Sequence, residues 1–369
     1  MPKYDTLIVG AGFAGSTIAE RLATVGDTVL VIDRRDHVGG TVYDHVDEHG
    51  ILISSHGAHL FHTNARHVVD YLSQFTQWVP FRHRVEAIAS NGRQVPMPVN
   101  RTTINRLFDL HLETPEATAQ FYDAVKEDVD FHSSEDQVVG HVGREIFELL
   151  YEQYTLKQWG RPASQLSSAV AGRLPYRLSD DDGYFDDWFQ AQPSEGWTPV
   201  FEKMLRGVDL MLETEFKDLA PSFEFDRIVY TGPPDEFFNY CYGPLPFRSV
   251  RFEHVNFPQR ELVQRVSVLN DCTRHHPYTR TIEWRHITGQ IADSTTVSYE
   301  FSEATGDPHY PIPCQESWDL HRAYRRLAQD RPDVTFAGRL GTYKYMTMDQ
   351  TVAQALKLAS TLAPDAVIR

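Results

Sequence analysis

The stretch Asp5–Arg35, DTLIVGAGFAGSTIAERLATVGDTVLVIDRR, decides the fold. Leu7–Val9 is an apolar run that ends in Gly10-x-Gly12-x-x-Gly15. Apolar residues then recur at helical spacing through Ile18, Leu22 and Val25, and a second apolar run, Val29–Ile32, ends in Asp33. A lone GxGxxG carries little weight. Strand, glycine turn, helix, strand and acid in that order predict a βαβ unit that binds a dinucleotide. Glycines let the backbone approach a pyrophosphate at the helix start, where free N–H groups and the helix dipole favour an anion. Asp33 accepts hydrogen bonds from ribose hydroxyls. Phe13 inside the turn and Arg34 after the acid complete the candidate contacts.

The next segment, DRRDHVGGTVYD, holds a second glycine pair, Gly39 and Gly40, followed by Thr41. A nicotinamide domain runs directly into its next crossover, whereas an extra glycine loop suits the longer body of FAD. Near the C-terminus, DVTFAGRLGTYKYMTMDQTVAQALKLA reads as a strand, a glycine-rich turn and a helix beginning near Asp349. The two ends of the chain therefore build one FAD domain, with the rest inserted between them.

Composition bounds the alternatives. The 369 residues allow two or three domains, and 41% hydrophobic with 23% charged residues is ordinary globular material. The formal charge of −16 argues against a nucleic-acid or anionic-membrane surface, while leaving room for a local basic pocket. No apolar run approaches a membrane span, and the N-terminal residues read as a strand rather than a signal peptide. Cys241, Cys272 and Cys314 are far apart and odd in number, which predicts reduced thiols and a cytoplasmic location.

Between the two ends, Arg66–Phe75 reads as a helix, and Trp78–Val99 as a hairpin turning at Asn91-Gly92. From Thr102 to Leu166 the pattern is helical. Asp180–Asp182 with Gly183 predicts a mobile polar loop. Val208–Leu212 and Arg227–Thr231 read as strands returning to the first domain. Val250–Asn256, Ser267–Leu269, Thr281–Ile287 and Thr296–Phe301 read as an antiparallel sheet. The predicted fold is α/β: a Rossmann-like FAD-binding domain with an inserted helical-bundle domain and an inserted antiparallel β-sheet domain. The predicted boundaries are 1–76, 195–240 and 315–369 for the FAD domain. The helical substrate domain takes 98–194, and the sheet domain 77–97 with 241–314.

One further segment, SSHGAHLFHTNARH, places histidines at 56, 59 and 62. Three-residue steps spread side chains around a helix and alternate them across a strand, and no cysteine lies nearby. A metal site is not predicted.

These motifs together resemble the bacterial UDP-galactopyranose mutase family over nearly the whole chain. The pieces that carry the resemblance are VGAGFAGSTIAERLA, DRRDHVGGTVYD, HLFHTN, HRV, YTLKQWG, LPYR, TGPPDEFF, FRSVRFE, YTRTIE and GRLGTYKY, in family order. The resemblance implies an isomerase that interconverts the pyranose and furanose forms of UDP-galactose for cell-wall polysaccharide synthesis. It implies a covalent adduct between sugar C1 and N5 of reduced FAD, with no net redox change. It also implies an external reductant such as NADPH and a homodimer.

Residue by residue, the resemblance puts His59, Leu60 and His62 along the flavin, with His62 polarising the ring and His56 an ordinary loop residue. Arg248 and Arg339 match arginines close to the flavin, and Met346 and Asp349 fall in the second cofactor segment. Arg177 and Arg280 match diphosphate-binding arginines, whose forked guanidinium suits phosphate. Tyr310 and Tyr345 match tyrosines that reach the phosphates. Tyr154 matches a uracil-stacking residue, and Trp159, His83, Phe189 and Glu300 match positions around the sugar.

Departures from the family pattern fall at Thr41, His56, Ala58, Arg82, Phe189, His309 and Thr347. Several lie near the sugar. They leave room for the same ring contraction on another nucleotide sugar, such as an amino- or deoxy-hexose. A flavin oxidoreductase of the amine-oxidase type shares the N-terminal fingerprint but has no use for paired diphosphate arginines.

Overall fold

The computed structural model describes residues 3–219, 223–258 and 260–364. Lys3–Val9 and Val29–Ile32 pair in parallel, with helix Phe13–Thr24 crossing between them. Asp209–Met211 extends this sheet on one side, and Glu224–Tyr230 and Val334–Phe336 extend it on the other, all in parallel. Val29–Ile32 is buried at every position, as a central parallel strand covered on both faces must be. Helix Met348–Leu362 packs beside Phe13–Thr24, so the two chain ends share one layer. Ile18, Leu22, Phe201, Val352 and Leu356 close its core.

Gly15 is required for this packing. A Cβ there would stand 1.8 Å from the Gly10 carbonyl oxygen, and Gly10 itself has φ +107°.

The larger, seven-stranded sheet runs Tyr310–Pro311, Phe247–Phe257, Thr295–Glu303, Arg280–Glu283, Val268–Asp271, Val85–Ile88, Gln94–Met97. Its pairs are antiparallel except Val85–Ile88 with Val268–Asp271, which are parallel. The expected strand Thr281–Ile287 stops at Glu283, and Trp284–Thr288 is a short helix ending on Gly289 at φ +68°. A left-handed glycine there ends the turn, which a strand would not need.

Helices Arg101–Phe108, Pro115–Val125 and Ser134–Val142 are capped by Asn100, Thr114 and Ser133 through side-chain oxygens. They do not form a core of their own. Ile104, Val138 and Leu150 pack with Val85, Val95, Val268 and Ile282 of the sheet. The two expected insertions therefore share one core, because helices this short cannot bury their apolar faces alone.

Phe189–Pro193, assigned by sequence to the helical domain 98–194, pairs with Phe61–Thr63 and Trp78–Pro80 in a three-stranded sheet. Tertiary pairing decides that strand. Among the described residues no helix is long and apolar enough to cross a membrane. Cys241, Cys272 and Cys314 are free thiols.

Candidate functional site

A cleft lies along the C-terminal ends of the parallel strands, where open α/β sheets take their ligands. It is lined by Gly10, Gly12, Phe13, Asp33, Arg34, Gly40, Thr41, His59 and Arg339, among others. The two glycine pairs face each other. Gly39 N–H donates to the Ala11 carbonyl at 2.9 Å, and a Cβ on Gly40 would stand 3.3 Å from the Gly12 Cα. A Cβ on Gly12 would meet nothing nearer than 3.9 Å, so the cleft side of that turn is open. Ser16 N–H bonds back to the Gly12 carbonyl, and the first-turn residues Phe13 and Ala14, whose N–H groups have no intrahelical partner, line the cleft.

Asp33 is 4% exposed. Its Oδ2 accepts from Ala11 N–H at 2.8 Å and its Oδ1 from Arg35 N–H at 2.9 Å, leaving lone pairs on both oxygens. His59 Nδ1 is buried without a partner. The backbone cradle, the oriented acid and the orphan imidazole nitrogen all suit a flavin dinucleotide.

Other expected cofactor residues support the cleft without lining it. Gly15 packs the helix onto the turn. Met346 gives its carbonyl to Arg339 Nε and Nη2 at 3.1 and 2.7 Å, which aims that guanidinium. Asp349 accepts from Thr63 Oγ1 at 2.7 Å, tying the last helix to Phe61–Thr63. Arg248 is buried in a structural role, donating to the Gln158 carbonyl at 3.1 Å and the Ser302 carbonyl at 2.8 Å. Leu60 is half-buried outside the cleft lining.

The three spaced histidines go three ways. His56 Nδ1 lies 3.2 Å from His309 Nε2, His59 borders the cleft, and His62 Nδ1 lies 2.6 Å from Asp187 Oδ2. The His62 ring stacks on Phe185 with centroids 3.5 Å apart, so it faces the 183–188 loop rather than the cofactor cleft. Among the described residues no His, Cys, Asp or Glu group is arranged to hold a metal. Burial, then Arg339, pushes the His59 pKa down to about 3. Burial, then Arg280, does the same for His83.

Beyond the cleft, Arg339 joins it to a second constellation. Its guanidinium lies 5.2 Å from the Tyr310 ring centroid and 5.5 Å from that of Tyr345. The two rings stack with centroids 5.9 Å apart. Arg280 pairs with Glu300 at 2.7 Å, and Glu300 is 1% exposed. Arg173, which sequence reading missed, lies across the rim with its guanidinium 4.9 Å from the Tyr345 centroid. Burial opposes ionisation of Tyr345, but Arg173, Arg339 and Arg280 together hold its pKa below the usual tyrosine value. Three guanidiniums against one carboxylate make a locally positive cluster in a strongly acidic chain.

Tyr154 and Tyr184 stand nearby, Tyr184 edge-on to His83 at 5.1 Å. His83 Nδ1 contacts Ser267 Oγ at 3.1 Å. Trp159 is 2% exposed and packs on Leu166, Ile312 and Tyr310, with its indole N–H unpartnered.

Two expected substrate residues are elsewhere. Phe189 packs edge-on to Phe61 and Trp78 in apolar surroundings, so its ring fills core. Arg177 turns into its own loop, donating to the Gly183 carbonyl at 2.8 Å and pairing with Asp186 at 2.6 Å. The loop acids are held one by one: Asp180 by Arg101, Asp181 by Arg82, Asp182 by Arg84 and Asp187 by His62. A run of charge that reads as solvated is thus matched by three arginines and a histidine from neighbouring elements. Arg82, a departure from the family asparagine, is one of them.

A profile described as UDP-galactopyranose mutase matches residues 149–345, and one described as an NAD(P)-binding Rossmann-like domain matches residues 8–75. The "Probable UDP-galactopyranose mutase" of Klebsiella pneumoniae is 36% identical, over 97% of this chain and 94% of that one. The dTDP-fucopyranose mutase of Escherichia coli is 32% identical, over 96% of this chain and 97% of that one. A crystal structure of reduced UDP-galactopyranose mutase superposes with a TM-score of 0.82 at 16% identity, covering 98% and 96% of the two chains. A putrescine oxidase structure superposes with a TM-score of 0.63, also at 16% identity.

Proposed function

The chain belongs to the UDP-galactopyranose mutase family, and on that premise we propose that it interconverts UDP-galactopyranose and UDP-galactofuranose with reduced FAD. One observation carries the reading. Arg339 lines the dinucleotide cleft and also faces Tyr310 and Tyr345, so one residue joins the cofactor site to a cationic pocket suited to a diphosphate. An oxidoreductase acting on amines has no need for Arg173, Arg280 and Arg339 around two tyrosines.

When bound, reduced FAD supplies an electron-rich N5 as nucleophile toward the anomeric carbon. The residues of the chain supply position and charge. Arg280, oriented by Glu300, and Arg173 at the rim hold the diphosphate, and the leaving nucleotide's charge is stabilised where it develops. Tyr310 and Tyr345 direct hydroxyls to the same oxygens. Tyr154 offers a ring face to the base. Arg339, aimed by the Met346 carbonyl and lining the cleft, would supply positive charge to a bound flavin. Helical and sheet segments hold the sugar nucleotide, and the two chain ends hold the cofactor. An external reductant such as NADPH and a homodimer belong to this reading through the family alone.

A second reading is the same chemistry on a deoxy-sugar carried by dTDP. It is favoured by the 32% identity to the dTDP-fucopyranose mutase. Product chromatography with dithionite-reduced enzyme on a panel of nucleotide hexoses decides between them. Furanose from UDP-galactose, formed only by the reduced enzyme and without net oxidation, is the expected result. Faster turnover of dTDP-fucose moves the assignment to the second reading. No isomer from any sugar, with flavin bound and reduced, sinks both.

A further inference from the structure

The loop between strands Thr295–Glu303 and Tyr310–Pro311 crosses the mouth of the dinucleotide cleft. Pro308 and His309 line the cleft from this side, and Arg34 and Arg35 line it from the opposite side. Asp307 spans the gap. Its Oδ1 is 3.1 Å from Arg34 Nη2 and its Oδ2 is 3.0 Å from Arg35 Nη2. Each carboxylate oxygen thus takes one guanidinium, and residues more than 270 positions apart in sequence are joined. Arg35 N–H also bonds Asp33 Oδ1, which places this bridge at the ribose-binding end of the cleft.

The loop is pinned behind the bridge. Gly306 has φ +112°, and a Cβ there would stand 2.8 Å from Ser249 Oγ, so the turn needs glycine. His309 N–H donates to the Arg248 carbonyl at 2.9 Å. His309 Nδ1 lies 2.9 Å from the Asp307 carbonyl, which must accept, so Nδ1 carries the proton and Nε2 is an acceptor. His56 Nδ1, 3.2 Å away, is then the donor to it. Burial holds both imidazoles neutral, His56 at about 3 and His309 at about 4, so this chain of bonds is intact across the physiological range. These two positions, both departures from the family pattern, are partners of each other.

We propose that Asp307 with Arg34 and Arg35 forms a clasp over the dinucleotide cleft that sets the rate of flavin release. It rests on the reading that the cleft holds FAD. The clasp acts on exchange, not on chemistry, since Asp307 touches neither the diphosphate cluster nor Arg339. With side chains 47%, 30% and 19% exposed for Asp307, Arg34 and Arg35, the pairs are within reach of salt.

The test follows release of FAD from the holoprotein by the rise in flavin fluorescence after a large dilution into flavin-free buffer. Asp307→Asn and Asp307→Ala are each compared with wild type at low and high sodium chloride. The expected result is about tenfold faster release from Asp307→Ala, less from Asp307→Asn, and turnover unchanged at saturating FAD. Salt should accelerate release from wild type toward the variant rate and leave Asp307→Ala nearly unmoved. The salt series on wild type needs no variant, so poor folding of a variant does not shield the idea. Release within twofold of wild type in both variants, with no salt effect, overturns the clasp while the flavin reading stands. Wild type that never binds FAD at saturation overturns the flavin reading, and the clasp falls with it.

Discussion

The dinucleotide cleft and the cationic pocket meet at Arg339, yet they are built in different ways. The cleft is made of backbone: facing glycines, helix N–H groups and one acid positioned by the Ala11 and Arg35 amides. The pocket is made of side chains sent from distant segments: Tyr154, Arg173, Arg280, Glu300, Tyr310 and Tyr345. A backbone site has positions that take no added atom, as at Gly15, but is indifferent to much side-chain change. A side-chain site keeps its fold through substitution and loses only affinity. The departures from the family pattern fall outside the six residues of the pocket: Thr41 and His309 line the cleft, Arg82 holds a loop acid and Phe189 fills core.

The sharpest break of this comparison is at the backbone. Gly15→Ala puts a methyl group 1.8 Å from the Gly10 carbonyl oxygen, a position only a shift of helix against turn can relieve. The expected outcome is protein that purifies colourless or insoluble, read by flavin absorbance per chain. Arg280→Ala should keep its full flavin content. Equal flavin content in both variants would show that the two sites are not separately built.

A smaller effect comes from the buried imidazoles that border the two sites. His83 is 4% exposed, and burial, then Arg280, holds its pKa at about 3. Unfolded, such a histidine titrates near 6.5. Its stabilising effect is therefore complete above pH 6.5 and is lost as pH falls toward the folded value. His59, His56 and His309 act in the same sense, while His286, whose pKa is raised, runs the other way. Melting temperature should fall by several degrees between pH 6.5 and 4.5, before the low-pKa carboxylates Asp271 and Glu283 titrate. His83→Gln should flatten that decline. A decline that begins only below pH 4.5 would assign it to carboxylates alone.

The same division explains what was legible in the sequence. The cleft could be read because its parts are contiguous: Gly10 to Asp33 form one unit, and Gly338 to Asp349 another. The two strands flanking the glycine turn were visible as apolar runs, Leu7–Val9 and Val29–Ile32, while Val208–Leu212 and Arg227–Thr231 were read despite Asp209 and Arg227. Phe189–Pro193 was not, because its pairing with Phe61–Thr63 leaves no local pattern. The helix Trp284–Thr288 hid behind β-branched residues. The bond between His56 and His309 links positions 253 apart, and no spacing rule announces it. In the pocket, resemblance supplied Arg280, Tyr310 and Tyr345, but it fixed on Arg177 and passed over Arg173, four residues earlier in RLPYR.

That pair gives the finest test of the comparison. Arg173 faces Tyr345 at the rim and has no acidic partner at hydrogen-bond distance among the described pairs, so a diphosphate oxygen is its natural partner. Losing a charge-assisted hydrogen bond costs about 1.5–3 kcal/mol, so Arg173→Ala should lower kcat/KM roughly ten- to a hundredfold with flavin retained. Arg177 already gives its Nη2 to Gly183 and Asp186, within a loop whose other acids are held by Arg82, Arg84, Arg101 and His62. To reach a phosphate it must leave Asp186, and partly exposed pairs of this kind are worth about 0–1 kcal/mol. Arg177→Ala should therefore cost about threefold or less, chiefly through a looser loop. Steady-state kinetics on the two variants, with flavin content measured on each, reads the order directly. The reverse order would mean that ligand binding draws Arg177 from Asp186 into the pocket, and the loop would then move as a lid.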